Sequence, residues 1–340
     1  MQETTPCQTV AVGLIAYNER AHLPSMLRDI LRQTYPHQWM DVILVDGGSQ
    51  DGTRALMEAF VAAHGREFRR AWVLDNPKRI QPAGWNAVLS RFDADVLIRL
   101  DAHGGIAPDF VEKTMACLND GEAVCGGSIE SITDNPTPWG QTLLKAETSL
   151  FGGSVGAFKR KSPGRRPVST VSFPAYRKEV VERVGRFNEA LQRTEDNEYS
   201  YRVRQAGYSI CLDSAIRCRY VIRGSLKSLL LQKFKNGLGI GRTLFCCPRC
   251  LSWYHLVPGL FVGAAAVTGG LALLGIRWPC QALWGAYGGV NLLMWLRSKI
   301  ERPTDLCLPL LFLALHVSYG LGTLWGIICG AAARLARRKA

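Results

Sequence analysis

The N-terminal segment lacks the pattern of a secretory signal, because Glu3, Glu19 and Arg20 break up its apolar residues. A disulfide framework is missing too, since the eleven cysteines are an odd number scattered along the chain. The C-x-x-C at 247–250 has no second cysteine pair nearby, so a zinc site there lacks ligands. No repeat of fixed period and no low-complexity tract is present. These absences indicate a chain that keeps its thiols reduced in the cytosol.

Acidic residues are too few to balance the basic ones, since 28 Asp and Glu face 41 Lys and Arg and leave a net charge of +13. Charge is nearly missing near the C-terminus, where residues 256–276 carry none and 306–333 contain only His316. Apolar stretches of this length can cross a bilayer as helices. The segment 280–296 is shorter and interrupted by glycines, so we expect two or three transmembrane spans within 256–340.

The excess of basic charge bears on partners. Basic residues beside apolar stretches are typical of contact with anionic lipid on the cytoplasmic side of a membrane. A further basic cluster, KRKSPGRR, lies at 159–166 in the part of the chain before the apolar stretches. Nucleic acid attracts the same charge, but no known nucleic-acid-binding motif accompanies it here. We therefore expect membrane lipids as partners, and no nucleic acid.

The first part of the chain alternates between buried strands and amphipathic helices. Strands are predicted at 9–16, 40–46, 71–74 and 96–100, with helical spacing of apolar residues between them. Such alternation predicts an α/β fold with a mostly parallel, doubly wound sheet. Ligands of these sheets bind outside the carboxyl ends of the strands. Three acidic residues lie just past strand ends in this chain, namely Glu19, Asp46 and Asp101.

The second half changes character. Strands are predicted at 123–128 and 170–176, a short helix at 178–184 and a longer helix within 193–207. ICLD and IRCRYV, between 210 and 221, then suggest two short strands. Residues 225–240 form an amphipathic helix, which either lies on a bilayer surface or packs on the protein with one wet face.

The triplet Asp101-Ala102-His103 follows the fourth predicted strand. One carboxylate and one imidazole two positions apart can reach the same divalent cation. Taken alone, such a triplet is more often a turn followed by a solvated histidine than a metal site. The acidic residues at the neighbouring strand ends favour the second interpretation, in which a metal at this edge clamps a diphosphate.

Four spaced motifs together resemble the family 2 glycosyltransferases of the GT-A fold. They are AYNE at 16–19, VDGGSQDGT at 45–53, LDAH at 100–103 and TEDNEYSYRVRQAG at 194–207. Three more segments, at 76–86, 169–189 and 232–242, look like the membrane-associated bacterial group of succinoglycan-biosynthesis glucosyltransferases. The resemblance implies a Rossmann-like GT-A domain over 1–245, with an interface segment at 225–245. Transmembrane helices follow it within 256–340.

The resemblance also implies roles for individual residues. Tyr17, Glu19 and Asp46 correspond to the residues that hold the uracil and ribose of a UDP-sugar. Asp101 lies where the family's D-x-D motif begins, and His103 replaces its second aspartate. Asp101 and His103 are therefore the expected ligands of Mn2+ or Mg2+, which neutralises the leaving UDP.

Two further residues complete the expected site. Asp196 matches the family's catalytic base, which takes the proton of the acceptor hydroxyl. Lys78 is a candidate for binding the diphosphate of the nucleotide sugar. A solvated loop position is an equally good interpretation of Lys78.

The expected activity is the transfer of a hexose, such as glucose, with inversion from a UDP-sugar to a lipid-linked saccharide in bacterial surface-glycan assembly. The Q-x-x-R-W motif of processive synthases is missing, since the nearest stretch reads QKFKN at 232–236, so addition of one sugar is expected. One alternative acceptor is bare polyprenyl phosphate. A catalytically silent, nucleotide-binding scaffold is the alternative of another class. The enzyme is expected in the cytoplasmic membrane as a multi-pass protein with its site in the cytosol, where UDP-sugars are available.

Overall fold

The computed structural model describes residues 8–153 and 164–339. Its contacts divide the chain into two compact units. The first unit, called the sheet unit here, comprises residues 1–130 and 160–220, and the second, the helical unit, comprises 131–159 and 221–340. The predicted division into 1–245 and 256–340 stays a prediction, because the compact units are cut at other positions.

Four parallel strands form one half of the sheet in the order β3-β2-β1-β4. Their bounds are Val10–Ala16 for β1, Met40–Asp46 for β2, Arg70–Asp75 for β3 and Val96–Asp101 for β4. The strands are almost continuously apolar because helices cover both faces of this half. The register places Ala16 opposite Asp46 and Ile15 opposite Asp101, so the acidic strand ends share one edge.

Three helices alternate with these strands, as predicted, and a fourth follows them. They are α1 at Leu23–Leu31, α2 at Thr53–His64, α3 at Gln81–Arg91 and α4 at Phe110–Asn119. Two hydrophobic clusters of the sheet unit contain Leu14 and Met26 in one and Ile43 and Trp85 in the other. The apolar spacing in the sequence therefore predicted this part of the fold correctly.

The second half of the sheet is antiparallel. Its strands are β5 at Gly104–Ile106, β6 at Val124–Ile132, β7 at Arg165–Pro167, β8 at Ser172–Arg177 and β9 at Cys211–Val221. The helices α6 at Lys178–Val184 and α7 at Glu195–Gln205 belong to the same part of the chain. The prediction of two short strands between 210 and 221 was wrong. β9 is continuous because β7 pairs with its first residues and β5 with its last, across the polar interruption at Ser214.

The basic cluster at 159–166 lies partly outside the described residues, which resume at 164. Within it, Arg165 forms ion pairs with Asp120 at 2.7 Å and Asp213 at 2.6 Å. The charge of Arg165 is therefore paired within the sheet unit.

The helical unit contains α5 at Pro138–Thr148, α8 at Leu226–Thr243, α9 at Val257–Leu273, α10 at Trp278–Arg297 and α11 at Leu308–Lys339. The amphipathic helix α8 packs along α11. Of the two interpretations of this helix, the one in which it packs on the protein is therefore correct. A side chain at Gly237 would lie 2.0 Å from the carbonyl oxygen of Tyr319, which shows how closely the two backbones approach. Lys227 and Lys235 remain exposed on the other side of α8.

Among the described residues, one stretch, Pro303–Ala336, is long and apolar enough to cross a membrane. The helix α9 is apolar but shorter, and α10 does not meet the same criterion. Two or three spans are expected from the sequence. Among the described residues, one helix has both the length and the apolar composition of a span.

Candidate active site

The loops that follow β1 and β2 are held together by hydrogen bonds. Asn18 adopts a left-handed backbone conformation, with φ of 53°. Its N–H donates to Ser49 Oγ at 2.9 Å, and its side-chain oxygen accepts from the Gln50 N–H at 2.9 Å. The Glu19 N–H donates to Thr53 Oγ1 at 2.8 Å. The AYNE and DGGSQDGT motifs therefore form one rigid edge at the carboxyl end of the sheet.

Asp46 is buried within this edge. Its carboxylate accepts hydrogen bonds from the N–H groups of Gly48 at 3.0 Å and Ser49 at 3.1 Å, which shape the loop. Tyr17 lies beside Gly47, and its side chain is exposed. The buried carboxylate and the exposed ring lie on adjacent strand ends.

Gly48 has a φ of 77°, and a Cβ there would lie 2.9 Å from Arg79 Nε. The backbone thus favours glycine at this position, and a side chain would displace Arg79. The glycine lets the Arg79 guanidinium lie against the loop that Asp46 organises. Arg79, next to Lys78 in the sequence, is therefore a candidate of the same site.

Lys78 does not join the other predicted site residues. Its ammonium group contacts the Glu189 carboxylate, and this ion pair is largely exposed. Lys78 and Asn86 together lower the pKa of Glu189. Lys78 therefore joins the loop before α3 to the loop after α6.

Asp101 and His103 lie next to further acidic groups. His103 Nδ1 is 3.4 Å from Glu19 Oε1, and its ring packs edge-on against Tyr220 with centroids 4.9 Å apart. Burial raises the pKa of Asp101, and the negative charges of Asp196 and Glu19 act in the same direction. Four of the predicted site residues, Glu19, Asp101, His103 and Asp196, are therefore brought together electrostatically.

Asp196 lies in the first turn of α7, and its side chain is 55% exposed. Its Oδ1 accepts a hydrogen bond from Arg99 Nη2 at 2.6 Å. The Arg99 side chain is only 5% exposed, and its guanidinium carbon lies 4.2 Å from the ring centre of Trp85 and 4.7 Å from that of Phe187. A buried cation thus holds the exposed carboxylate from behind, which keeps its free oxygen toward solvent.

Burial alone would lower the pKa of Arg99, but the charge and hydrogen bond of Asp196, together with Tyr176 and Glu195, outweigh it and raise that pKa above the ordinary value. Arg99 therefore stays charged throughout the physiological range. Arg99 and Asp101 are two positions apart on β4 and so lie on the same side of the strand. Strand β4 thus carries both the metal-ligand candidate Asp101 and Arg99, which binds the base candidate Asp196.

Glu195 differs from its neighbour Asp196, because its residue is only 1% exposed. Burial and the nearby Asp196 charge raise the pKa of Glu195 to about 8. Its Oε2 has no hydrogen-bond partner among residues 8–153 and 164–339. Burial therefore favours the protonated form of Glu195 at neutral pH, next to the exposed Asp196.

The sequence motifs did not predict a role for Arg99, nor for the rings of Trp85 and Phe187 that enclose it. The signal was present as a charged residue inside the apolar run VLIRLD. A buried arginine needs a carboxylate partner, and the sequence did not reveal that Asp196 is that partner.

The residues fit a divalent cation that is shared with a bound diphosphate. Within the described residues, no group of three or more His, Cys, Asp and Glu is arranged to hold a metal by itself. Asp101 and His103 would supply one oxygen and one nitrogen ligand, and phosphate oxygens commonly complete such sites. The acids Glu19, Asp101 and Asp196 outnumber Arg99, the permanent cation near them. A divalent cation would offset this excess.

Comparison with known proteins places the fold and the motifs in context. The sequence profile described as glycosyl transferase family 2 matches residues 11–185, about half of the chain. The Succinoglycan biosynthesis protein ExoA of Rhizobium meliloti is 26% identical over 90% of this chain and 91% of its own length. The dolichyl N-acetyl-alpha-D-glucosaminyl phosphate 3-beta-D-2,3-diacetamido-2,3-dideoxy-beta-D-glucuronosyltransferase of Methanococcus voltae is 22% identical over 94% of this chain and 98% of its own length.

Among solved structures, the mannosyltransferase PcManGT of Pyrobaculum calidifontis, in complex with GDP-Man and Mn2+, is similar to this chain. The TM-score is 0.60, the sequence identity is 15%, and the match covers 94% of this chain and 88% of that one. At this identity the likeness shows a shared fold, and the fold is GT-A.

Proposed function

Because the chain belongs to glycosyl transferase family 2, we propose that it transfers a hexose from a UDP-sugar to a lipid-linked saccharide with inversion. The observation that carries this proposal is the Arg99–Asp196 pair. A carboxylate exposed to an acceptor and anchored to a buried cation lies beside the metal candidate Asp101. The family and the GT-A fold were both predicted from the motifs, and both are confirmed.

Asp196 serves as the general base in this proposal. Its carboxylate accepts the proton of the acceptor hydroxyl while that oxygen attacks the anomeric carbon and the bond to UDP breaks. One displacement of this kind inverts the configuration at the anomeric carbon. The hydrogen bond from Arg99 holds one carboxylate oxygen, which leaves the other for the acceptor.

The nucleotide lies at the edge formed by the two linked loops. Tyr17 and Asp46 frame the uridine, and Arg79 lies beside Gly48 where a phosphate can approach. Asp101 and His103 would hold Mn2+ or Mg2+, which neutralises charge that develops on the departing diphosphate. Lys78 can assist only if its ion pair with Glu189 opens.

The acceptor proposal follows from the names of the relatives and from the helical unit. One relative is named for succinoglycan biosynthesis and another for transfer to a dolichyl-linked sugar. The helical unit exposes large apolar side chains around the turn between α9 and α10, with Leu273 at 90% and Trp278 at 71% exposed. Exposed apolar surface of this kind fits lipid rather than water.

We further propose a multi-pass arrangement in the cytoplasmic membrane, with the nucleotide site in the cytosol. The basic C-terminal tail at 334–340 favours a cytoplasmic C-terminus, and so an even number of spans. The Pro303–Ala336 stretch is one span, and α9 with its flanking residues supplies the second. A reporter fused to the C-terminus should be active in the cytoplasm.

The test is a donor screen with the full chain in detergent, radiolabelled UDP-sugars, Mn2+ and a bacterial lipid extract. One donor should label the organic phase, chelation with EDTA should abolish the labelling, and Asp196→Asn should remove it. Asp120→Asn is the matched control, because Asp120 is an exposed aspartate at the end of α4. Tight UDP binding without transfer from any donor would identify a silent scaffold and overturn the proposal.

The same product separates the two acceptors. Mild acid releases the sugar portion from a polyprenyl phosphate or diphosphate. If the label emerges as an oligosaccharide, the acceptor was a lipid-linked saccharide. If it emerges as a monosaccharide, the acceptor was bare polyprenyl phosphate.

A further inference from the structure

We propose that Glu19 is a positioning residue that orients the His103 imidazole toward the metal. The proposal rests on the proposed function, in which Asp101 and His103 hold a divalent cation. It assigns Glu19 a role through His103, whereas the resemblance implied a direct role with the nucleotide. The observation behind it is the 3.4 Å approach of Glu19 Oε1 to His103 Nδ1.

Glu19 is held firmly enough to orient another side chain. Its N–H donates to the buried Thr53 hydroxyl at 2.8 Å, and its carbonyl oxygen accepts from the N–H groups of His22 at 3.0 Å and Leu23 at 2.9 Å. Thr53 is fixed in turn by Asp51, whose Oδ1 accepts from the threonine hydroxyl at 2.6 Å. The glutamate backbone is thus fixed by both the β2–α2 loop and the start of α1.

His103 is restrained on two sides. The Glu19 carboxylate approaches Nδ1, and the ring of Tyr220 packs edge-on at 4.9 Å. Ala102 is buried in the core, and Asp101 and His103 flank it. These two contacts restrain the orientation of the imidazole ring.

The chemistry of imidazole gives this contact a consequence. A neutral imidazole that donates from Nδ1 to a carboxylate carries its lone pair on Nε2, which is the form that binds a metal. A carboxylate partner also makes the imidazole a more basic ligand. Since this chain has histidine where the family has aspartate, it needs such an orienting group, and Glu19 supplies it.

The experiment measures Mn2+ binding by the full-length protein in detergent with UDP present, using the EPR signal of free Mn2+. Loss of a group that orients a metal-binding histidine typically weakens metal affinity by about 10–100-fold. Glu19→Ala should therefore weaken Mn2+ binding by about tenfold or more. Glu19→Gln keeps an oxygen that can accept from Nδ1–H and should retain most of the affinity. Glu58→Gln, at an exposed glutamate on α2, is the matched control and should not change it.

A double-mutant cycle separates orientation from a general loss of negative charge. If Glu19 acts through His103, Glu19→Ala should have little further effect in a protein that already carries His103→Ala. UDP affinity measured without metal reports folding and direct nucleotide contact, and it should stay within twofold of wild type in Glu19→Ala.

Two results would overturn the proposal while leaving the proposed function intact. One is equal loss of Mn2+ affinity from Glu19→Ala with and without His103. The other is a loss of metal-free UDP affinity as large as the loss of Mn2+ affinity, which would place Glu19 on the nucleotide. Failure of the wild-type protein to bind Mn2+ in the presence of UDP would overturn the metal assignment in the proposed function itself.

Discussion

The Arg99–Asp196 ion pair should respond very differently to the removal of each partner. Arg99 is 5% exposed and Asp196 is 55% exposed, so only the aspartate can be rehydrated when its partner is lost. Asp196→Ala leaves a cation buried between Trp85 and Phe187 without its nearest carboxylate. Breaking a buried pair in this way destabilises a protein by about 3–5 kcal/mol.

Arg99→Met has a smaller expected effect. The Asp196 carboxylate that remains is solvated, and pairs with an exposed member contribute about 1 kcal/mol or less. Methionine also fills much of the space between the two rings without a buried charge. We therefore expect Arg99→Met to destabilise the protein by less than about 2 kcal/mol.

The double variant is the most informative. In a protein that carries Asp196→Ala, adding Arg99→Met removes the orphaned cation, and we expect it to recover at least about 2 kcal/mol. Thermal unfolding of the full chain in one detergent gives the ranking of melting temperatures, with Asp196→Ala lowest. A double variant that melts below Asp196→Ala would refute the reasoning, because it would show that Arg99 stabilises the fold independently of Asp196.

Three further predictions concern other parts of the chain. Gly48→Ala should weaken UDP binding and destabilise the loop by about 1–2 kcal/mol from its left-handed backbone, whereas Gly207→Ala, with a φ of 93° and open space around it, should leave UDP binding unchanged. The pKa of Glu195 is raised to about 8 in the folded protein, against an ordinary value of 4.5, so its contribution to stability is complete below about pH 4.5 and is lost as the pH rises through 8. The melting temperature of Glu195→Gln should therefore rise relative to that of wild type between pH 5.5 and 8.5. A difference that stays constant over this range would count against the prediction. Lys145→Met should destabilise the helical unit by about 3–5 kcal/mol, because it leaves the fully buried Asp305 carboxylate without the ammonium group at 2.7 Å, and a melting temperature equal to wild type would contradict that contact.

Much of the sheet unit could be predicted from local sequence. The four parallel strands and the helices between them follow from apolar spacing, and the helix at 178–184 was predicted with the bounds that the structure has. The acidic strand ends also fall on one edge, because the carboxyl ends of parallel strands must do so. Periodicity is a local property, and these features are local.

Features that depend on long-range contacts could not be read from the sequence. Arg99 and Asp196 are 97 positions apart, and nothing in either segment indicates that they meet. β9 is one strand because separate neighbours pair with its two ends. Residues 131–159 join the helical unit through contacts such as that between Lys145 and Asp305, which lie far apart in sequence. Glu19 and His103 likewise belong to different motifs and meet only in the fold.

The most direct test of the account is the initial rate of sugar transfer by Asp196→Asn under saturating donor and Mn2+. Asparagine keeps an oxygen for the Arg99 hydrogen bond but cannot take a proton from the acceptor. The account predicts a rate lower by about 10²–10⁴-fold, with UDP affinity close to wild type and a melting temperature between those of wild type and Asp196→Ala. A transfer rate within twofold of wild type would show that Asp196 is not the base.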